Sequence, residues 1–298
     1  MGFRALILGA AAGGGLPQWN CGCQICDLAR YGEIKSATQS SIAVSADGKR
    51  WVILNASPDI RVQLSRTPAL YPTGLREVPL EAVLLTNGDI DHIAGLLTLR
   101  EVQHFRLYAT PGIHEVLDQN PIFDALRRDV VPRLPLALNV EQEVASGLVA
   151  ELFPVPGKVP LYLEGENVKT DMIGEQTVGV ALTSGDKKAF YIPGCAAMTD
   201  DLRDRLDGAE LVFFDGTLWS DDEMQITGVG QKTGARMGHM SMSGPNGSIA
   251  AFQTLNVGRK VFIHMNNTNP VFRPEGPERA EARAAGWTIG EDGMEITL

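Results

Sequence analysis

Residues 84–92 read Leu-Leu-Thr-Asn-Gly-Asp-Ile-Asp-His, which sets Asn87, Asp89, Asp91 and His92 in a short turn between an apolar strand and an apolar-periodic helix. Strand ends and helix starts are rigid, so oxygen and nitrogen ligands carried between them can converge on one cation. His264 ends the apolar run Val261-Phe262-Ile263, where a strand delivers its last side chain to a sheet edge. Asp91, His92 and His264 together offer two imidazoles and one carboxylate, the ligand set of a non-haem Fe(II) centre with open positions. Hydrolytic Zn²⁺ sites use the same atoms, so ligand type leaves both chemistries open. Asp215, before Gly216-Thr217, could orient His239 of the loop Met237-Gly238-His239-Met240-Ser241 as an acid/base pair by accepting its ring N–H. A capping or turn aspartate is the alternative. His104 and His114 fall on helical patterns and read as core or surface histidines.

Cys21, Cys23 and Cys26 form a second cluster. Three thiolates within six residues can face one tetrahedral Zn²⁺ without closing a long loop. A fourth ligand is needed. Cys195 is the only other cysteine and its distance along the chain decides nothing; Asn267, near the last apolar strand, is an atypical alternative. The glycine-rich stretch 9–15 follows a strand but lacks the glycine spacing of a dinucleotide loop, and Pro17 with the cysteines replaces the helix such a loop requires.

The elements that must position these groups are short apolar runs bounded by Gly, Pro, Asp or Asn. Strands are expected at 5–8, 41–44, 51–55, 82–86, 107–109, 149–155, 178–183, 189–192, 211–214 and 260–264. Helices are expected at 58–66, 91–103, 111–117, 122–128, 199–205, 248–255 and 277–285, with Thr110 as an N-cap ahead of Pro111. Strands first, then strand and helix alternating, suggests a mixed-sheet α/β sandwich. The loop-rich segments 157–174 and 221–247 are read as covers over a site.

A chain of 298 residues, 44% of them hydrophobic, can bury a large core as a single domain over 1–298. Its 36 acidic against 26 basic side chains give a net charge of -10, which disfavours nucleic acid as a partner. No apolar run approaches the roughly 20 residues that cross a bilayer, so no membrane insertion is expected. The N-terminal Met1-Gly2-Phe3-Arg4 and the apolar residues after it have the outline of a weak leader, but read better as the first core strand. A cytoplasmic, reducing setting is then expected, and it suits a thiolate metal site.

Several segments carry a family resemblance: Gly13-Gly14-Gly15-Leu16-Pro17-Gln18-Trp19-Asn20-Cys21, Thr38-Gln39-Ser40-Ser41, Asn55-Ala56-Ser57-Pro58-Asp59-Ile60-Arg61, Asn87-Gly88-Asp89-Ile90-Asp91-His92, Ala109-Thr110-Pro111-Gly112, Asp215-Gly216-Thr217-Leu218-Trp219 and Ile263-His264-Met265-Asn266-Asn267-Thr268-Asn269-Pro270. The chain resembles the metallo-β-lactamase fold and, within it, a family of proteins of pyrroloquinoline quinone (PQQ) biosynthesis. The resemblance implies an αββα sandwich of two mixed β-sheets flanked by helices. It places Asp59 at the fold's first aspartate, and Asp91 and His92 at the end of its His-x-His-x-Asp-His motif. The chain departs from that pattern: Asn87 and Asp89 hold the first two histidine positions, Lys158 stands where a third histidine is common, and Cys195 where a bridging aspartate is common. A binuclear zinc hydrolase is therefore not expected, while the Asp91, His92 and His264 half survives. The cysteines at 21–26 resemble the structural zinc knuckle of phosphodiesterase-like members.

The activity implied by the resemblance is iron-dependent hydroxylation of the tyrosine ring of a cross-linked Glu-Tyr intermediate made from a precursor peptide. Asp91, His92 and His264 would hold Fe(II) with room for O₂ and substrate, His239 with Asp215 would manage protons, and Lys158 and Arg236 would meet substrate carboxylates. Other proteins of the pathway are possible partners. Two rival readings are a mononuclear zinc hydrolase and a non-catalytic carrier assisting transport of PQQ or its precursor.

Overall fold

The strands run in chain order as β1 (Arg4–Gly9), β2 (Ser41–Ser45), β3 (Trp51–Leu54), β4 (Leu80–Leu84), β5 (Arg106–Ala109) and β6 (Arg133–Pro135) of one sheet. Then come β7 (Glu141–Ala145), β8 (Leu148–Pro154), β9 (Val178–Ser184), β10 (Lys187–Ile192), β11 (Leu211–Asp215), β12 (Arg259–Ile263) and β13 (Trp287–Ile289) of the other, and β14 (Glu295–Thr297) returns to the first. This computed structural model describes residues 2–165 and 169–298. Met1, part of the stretch weighed as a leader, and residues 166–168, inside the segment read as a cover, lie outside the described residues.

Among the described residues each sheet has seven strands, in the orders β14-β1-β2-β3-β4-β5-β6 and β13-β12-β11-β10-β9-β8-β7. In the first, β14 to β3 pair antiparallel and β3 to β6 parallel; in the second, β7 to β10 pair antiparallel and β10 to β13 parallel. The architecture is the expected αββα sandwich of two mixed sheets with flanking helices. Strands in the parallel halves are covered on both faces, so β3 and β11 have every residue buried, and β3 and residues 211–214 of β11 read as unbroken apolar runs. Among the described residues, no helix is long and apolar enough to cross a membrane.

The four strands absent from the sequence reading, β6, β7, β13 and β14, are the four sheet edges. Three of them are three residues long, and β7 begins Glu-Gln-Glu with exposed side chains. Short or charged edges resist pairing with a further chain, and the same properties remove the apolar signal.

The helix expected at 91–103 is one turn, Ile90–Ile93, followed by a 3₁₀ segment, Ala94–Leu99. Its i→i−4 ladder is diverted: Gly95 N–H donates to the Ala56 carbonyl at 2.9 Å, and the His92 carbonyl accepts from Ala56 N–H at 2.8 Å. A Cβ at Gly95 would lie 2.1 Å from the Ser57 carbonyl oxygen, so only glycine permits this approach. The helix expected at 122–128 is a 3₁₀ turn, Pro121–Ala125, whose Phe123 carbonyl accepts from Leu126 N–H at 3.1 Å and from Arg133 at 3.2 Å. The helix expected at 248–255 stops at Ala251, whose carbonyl accepts from Arg203 at 2.8 Å. His104 lies outside any helix, whereas His114 sits on Pro111–Asp118, capped by Thr110 Oγ1 accepting from Ile113 N–H at 3.2 Å. Helix Gln24–Arg30 overlaps the cysteine cluster, and one-turn helices Glu223–Ile226 and Gly234–Met237 lie within the loop-rich segment 221–247.

Candidate metal centre

The residues that follow β4, β11 and β12 meet in one cleft of about 290 Å³. Ligands in α/β sheets gather at the carboxyl ends of parallel strands, and here the register says how. Asp215 pairs with Ile263 across β11 and β12, so Asp215 and His264 leave neighbouring strands one residue apart. His264 then adopts φ +56°, a left-handed backbone rare for a side chain with a Cβ. Hydrogen bonds beside it hold it there: Met265 N–H donates to Ala10 O at 2.9 Å, and Ala12 N–H to Met265 O at 2.7 Å.

His92 is buried on the turn after β4. Its Nδ1 lies 2.7 Å from Asn87 Oδ1, an oxygen that only accepts, so Nδ1 carries the proton and Nε2 keeps its lone pair. Two contacts fix that amide: Asp89 N–H donates to the same Oδ1 at 3.1 Å, and Asn87 Nδ2 donates to Asp89 Oδ2 at 3.0 Å. His92 Nε2 is buried with no hydrogen-bond partner among the described residues. His264 Nε2 lies 3.2 Å from Asp91 Oδ2, and His92 Nε2 3.9 Å from the same oxygen. The three ligand atoms fall within 4.8 Å of one another.

Electrostatics match the geometry. Burial, reinforced by His264 and His239, pushes His92 down to about 4 and keeps it neutral. Burial acts against ionisation of Asp91, yet His92 and His264 hold its carboxyl well below the usual range. Burial likewise acts against a charged His264, but Asp91, Asp215 and Asp89 raise it above an ordinary imidazole. Burial and the charge of Asp91 push Asp89 up to about 6.

Behind this group lies the expected pair. His239 Nδ1 is 2.6 Å from Asp215 Oδ2, and its ring stacks on His264 at 5.3 Å. Asp215 is wholly buried and accepts from Cys195 N–H and Thr217 N–H, each at 3.0 Å. Burial pushes its carboxyl up, and His239, His264 and Thr217 together hold it below the usual range. Thr217, which sequence reasoning passed over, is a junction. Its hydroxyl donates to Asp215 Oδ1 at 2.6 Å and therefore accepts from His264 Nδ1 at 2.9 Å, which leaves Nε2 as the His264 nitrogen that meets Asp91 Oδ2. Asp215-Gly216-Thr217 stands in the sequence as a strand-end turn, but nothing local marks its threonine hydroxyl as the anchor of an imidazole 47 residues on.

Lys158, Arg236 and Lys232 line the same cleft, as do Tyr162 and Glu164, so both loop-rich segments contribute to its walls. Asp59 stands apart: its Oδ2 accepts from Gln39 N–H at 2.9 Å and Gln39 Nε2 at 3.1 Å. Cys195 stays away from the other cysteines, its thiol buried against the Ala197 carbonyl at 3.2 Å. Cys21, Cys23 and Cys26 converge around Asn267, whose Nδ2 is 3.2, 3.7 and 3.2 Å from their sulfurs. Burial and the neighbouring sulfurs push the Cys23 thiol up to about 12.

The fold defines a class: the family model described as "Beta-lactamase superfamily domain" matches residues 50–265. A coenzyme PQQ synthesis protein B from Ruegeria pomeroyi is 59% identical over 296 residues, covering 99% of this chain and 100% of that protein. The crystal structure of Zn(2+)-bound PqqB from Methylobacterium extorquens superimposes with a TM-score of 0.98 at 53% identity, covering 99% of this chain and 100% of that one. This chain belongs to the coenzyme PQQ synthesis protein B family. A diphosphatase from the PhnP family, at 20% identity and TM-score 0.71 over 100% of this chain and 98% of that one, shares the fold.

Proposed function

We propose that this chain acts in PQQ biosynthesis as an iron-dependent hydroxylase of the tyrosine ring in a cross-linked Glu-Tyr intermediate from the precursor peptide. The supporting observation is the bare, buried Nε2 of His92, turned toward Asp91 and His264 by the Asn87 bond to its other nitrogen. A buried polar atom without a partner is costly, and two imidazoles with a carboxylate suit Fe(II). Asp91, His92 and His264 would hold the metal, and Fe(II) when bound supplies the means of activating O₂. The balance is one aryl C–H becoming C–OH, the second oxygen atom leaving as water, with two electrons and two protons from an external reductant. His239, oriented through Nδ1 by Asp215, has Nε2 free to hold or pass a proton at the cleft. Lys158 and Arg236 supply positive charge for carboxylates of the substrate. Cys21, Cys23 and Cys26 are assigned to a structural Zn²⁺, with Asn267 at the fourth position through its carbonyl oxygen, which requires the amide to turn its Nδ2 away from the sulfurs.

A second reading, a mononuclear zinc hydrolase, uses the same three ligands and draws on the Zn(2+) bound by the Methylobacterium relative. Protein purified without oxygen and reconstituted with Fe(II) or Zn²⁺ separates the two. Aromatic hydroxylation with iron supports the oxygenase, and turnover with zinc but none with iron rejects it.

A further inference from the structure

The positive wall of the cleft is already engaged by one of the protein's own carboxylates. Glu164 Oε1 lies 2.7 Å from Lys158 Nζ, and Glu164 Oε2 lies 3.1 Å from Arg236 Nη2. The Glu164 side chain is only 8% exposed, against 14% for Lys158 and 41% for Arg236. Both of its oxygens are used, one on each cation, which is the contact a ligand carboxylate would make there.

The two cations have anchors of their own. Thr177 Oγ1 donates to the Lys158 carbonyl at 3.0 Å, and the stem of Lys158 crosses Gly238, where a Cβ would meet Lys158 Cγ at 3.3 Å. Gly238, at φ +84°, closes the helix Gly234–Met237 that carries Arg236. Glu164, by contrast, follows a single 3₁₀ turn, Leu161–Leu163, whose leucines are exposed and whose Tyr162 hydroxyl donates to the Gly88 carbonyl at 2.7 Å. Burial pushes the Glu164 carboxyl up, but Lys158 and Arg236 hold it below the usual range, so it is the charged form that engages them.

We infer that Glu164 is an internal stand-in for a ligand carboxylate, occupying Lys158 and Arg236 until an acidic ligand displaces it. This rests on the reading of the cleft as the seat of an acidic substrate. Partly buried cations left unpaired are costly, and exchange of carboxylate for carboxylate never leaves them so. A neutral ligand has nothing to offer in exchange, so the device selects for acidic ligands by competition as well as by attraction.

Calorimetric titration of the metal-loaded protein at pH 7 with benzene-1,3,5-tricarboxylate, and with its neutral triamide, tests the exchange. Glu164→Gln should bind the tricarboxylate about tenfold tighter than the parent, with no gain for the triamide. Lys158→Met and Arg236→Met should weaken it, alone and combined with Glu164→Gln. Exposed Glu101→Gln, which changes net charge equally, should shift affinity less than about twofold. Equal or weaker binding by folded Glu164→Gln, while Lys158→Met still weakens binding, overturns the stand-in alone and makes Glu164 a brace. A gain by Glu101→Gln as large as that of Glu164→Gln reduces the effect to net charge and also overturns it. Binding indifferent to Lys158 and Arg236, or absent throughout, overturns the acidic-substrate reading together with the stand-in.

Discussion

Thr217 and His264 are joined side chain to side chain, Oγ1 to Nδ1 at 2.9 Å, which leaves Nε2 as the imidazole nitrogen that faces Asp91. Thr217→Val keeps the shape and removes the contact. Fe(II) affinity, measured by competition with a chromogenic chelator, should fall about 10–100-fold, and Thr217→Ser should restore most of it. Unchanged affinity in Thr217→Val would show that His264 is oriented by other means.

The Asp215 and His239 pair, 2.6 Å apart, is assigned to proton handling. His239→Gln should lower kcat by about 10²–10⁴-fold while bound iron and KM change little. Loss of iron in parallel with kcat would instead make His239 a ligand.

The sulfurs of Cys21, Cys23 and Cys26 surround Asn267, three residues beyond His264. Cys23→Ser should reduce bound Zn²⁺ and lower Tm by several degrees, leaving the identities of the iron ligands intact. Elemental analysis and a melting curve check both, and unchanged zinc and Tm would remove the metal from this cluster.

Glu223 is buried, accepting from Trp219 N–H at 2.6 Å and from Thr268. Burial pushes its carboxyl up to about 7 against those two donors. Above an unfolded value of about 4.5 the unfolded chain releases this proton while the folded chain keeps it, so the group's contribution to stability falls as pH rises to about 7 and is constant beyond. The full loss is on the order of 3 kcal/mol. Glu223→Gln, which mimics the protonated acid, should flatten that part of the denaturant-midpoint profile between pH 4.5 and 7. An identical slope in parent and variant would show that Glu223 ionises normally.

The legibility of this chain follows burial. Interior strands such as β3 and β11 announce themselves because both faces are covered, whereas the edges β6, β7, β13 and β14 are short or polar and leave little pattern. The convergence of Asp91, His92 and His264 is legible because each stands at an element's end beside an apolar run. The long-range contacts around them are not: Thr217 faces His264 across 47 residues, and on the cleft wall Glu164 reaches Arg236 across 72. Such contacts are set by how sheets and loops pack, and no local pattern encodes them. The early end of the helix after His92 has the same origin, in backbone hydrogen bonds exchanged with Ala56.

Diffraction from crystals loaded anaerobically with Fe(II), collected on both sides of the iron absorption edge, addresses the ligand assignment directly. An iron-specific anomalous peak should appear about 2 Å from Asp91 Oδ2, His92 Nε2 and His264 Nε2. Iron bound elsewhere, or a fully loaded protein with no such peak between residues 92 and 264, would contradict it.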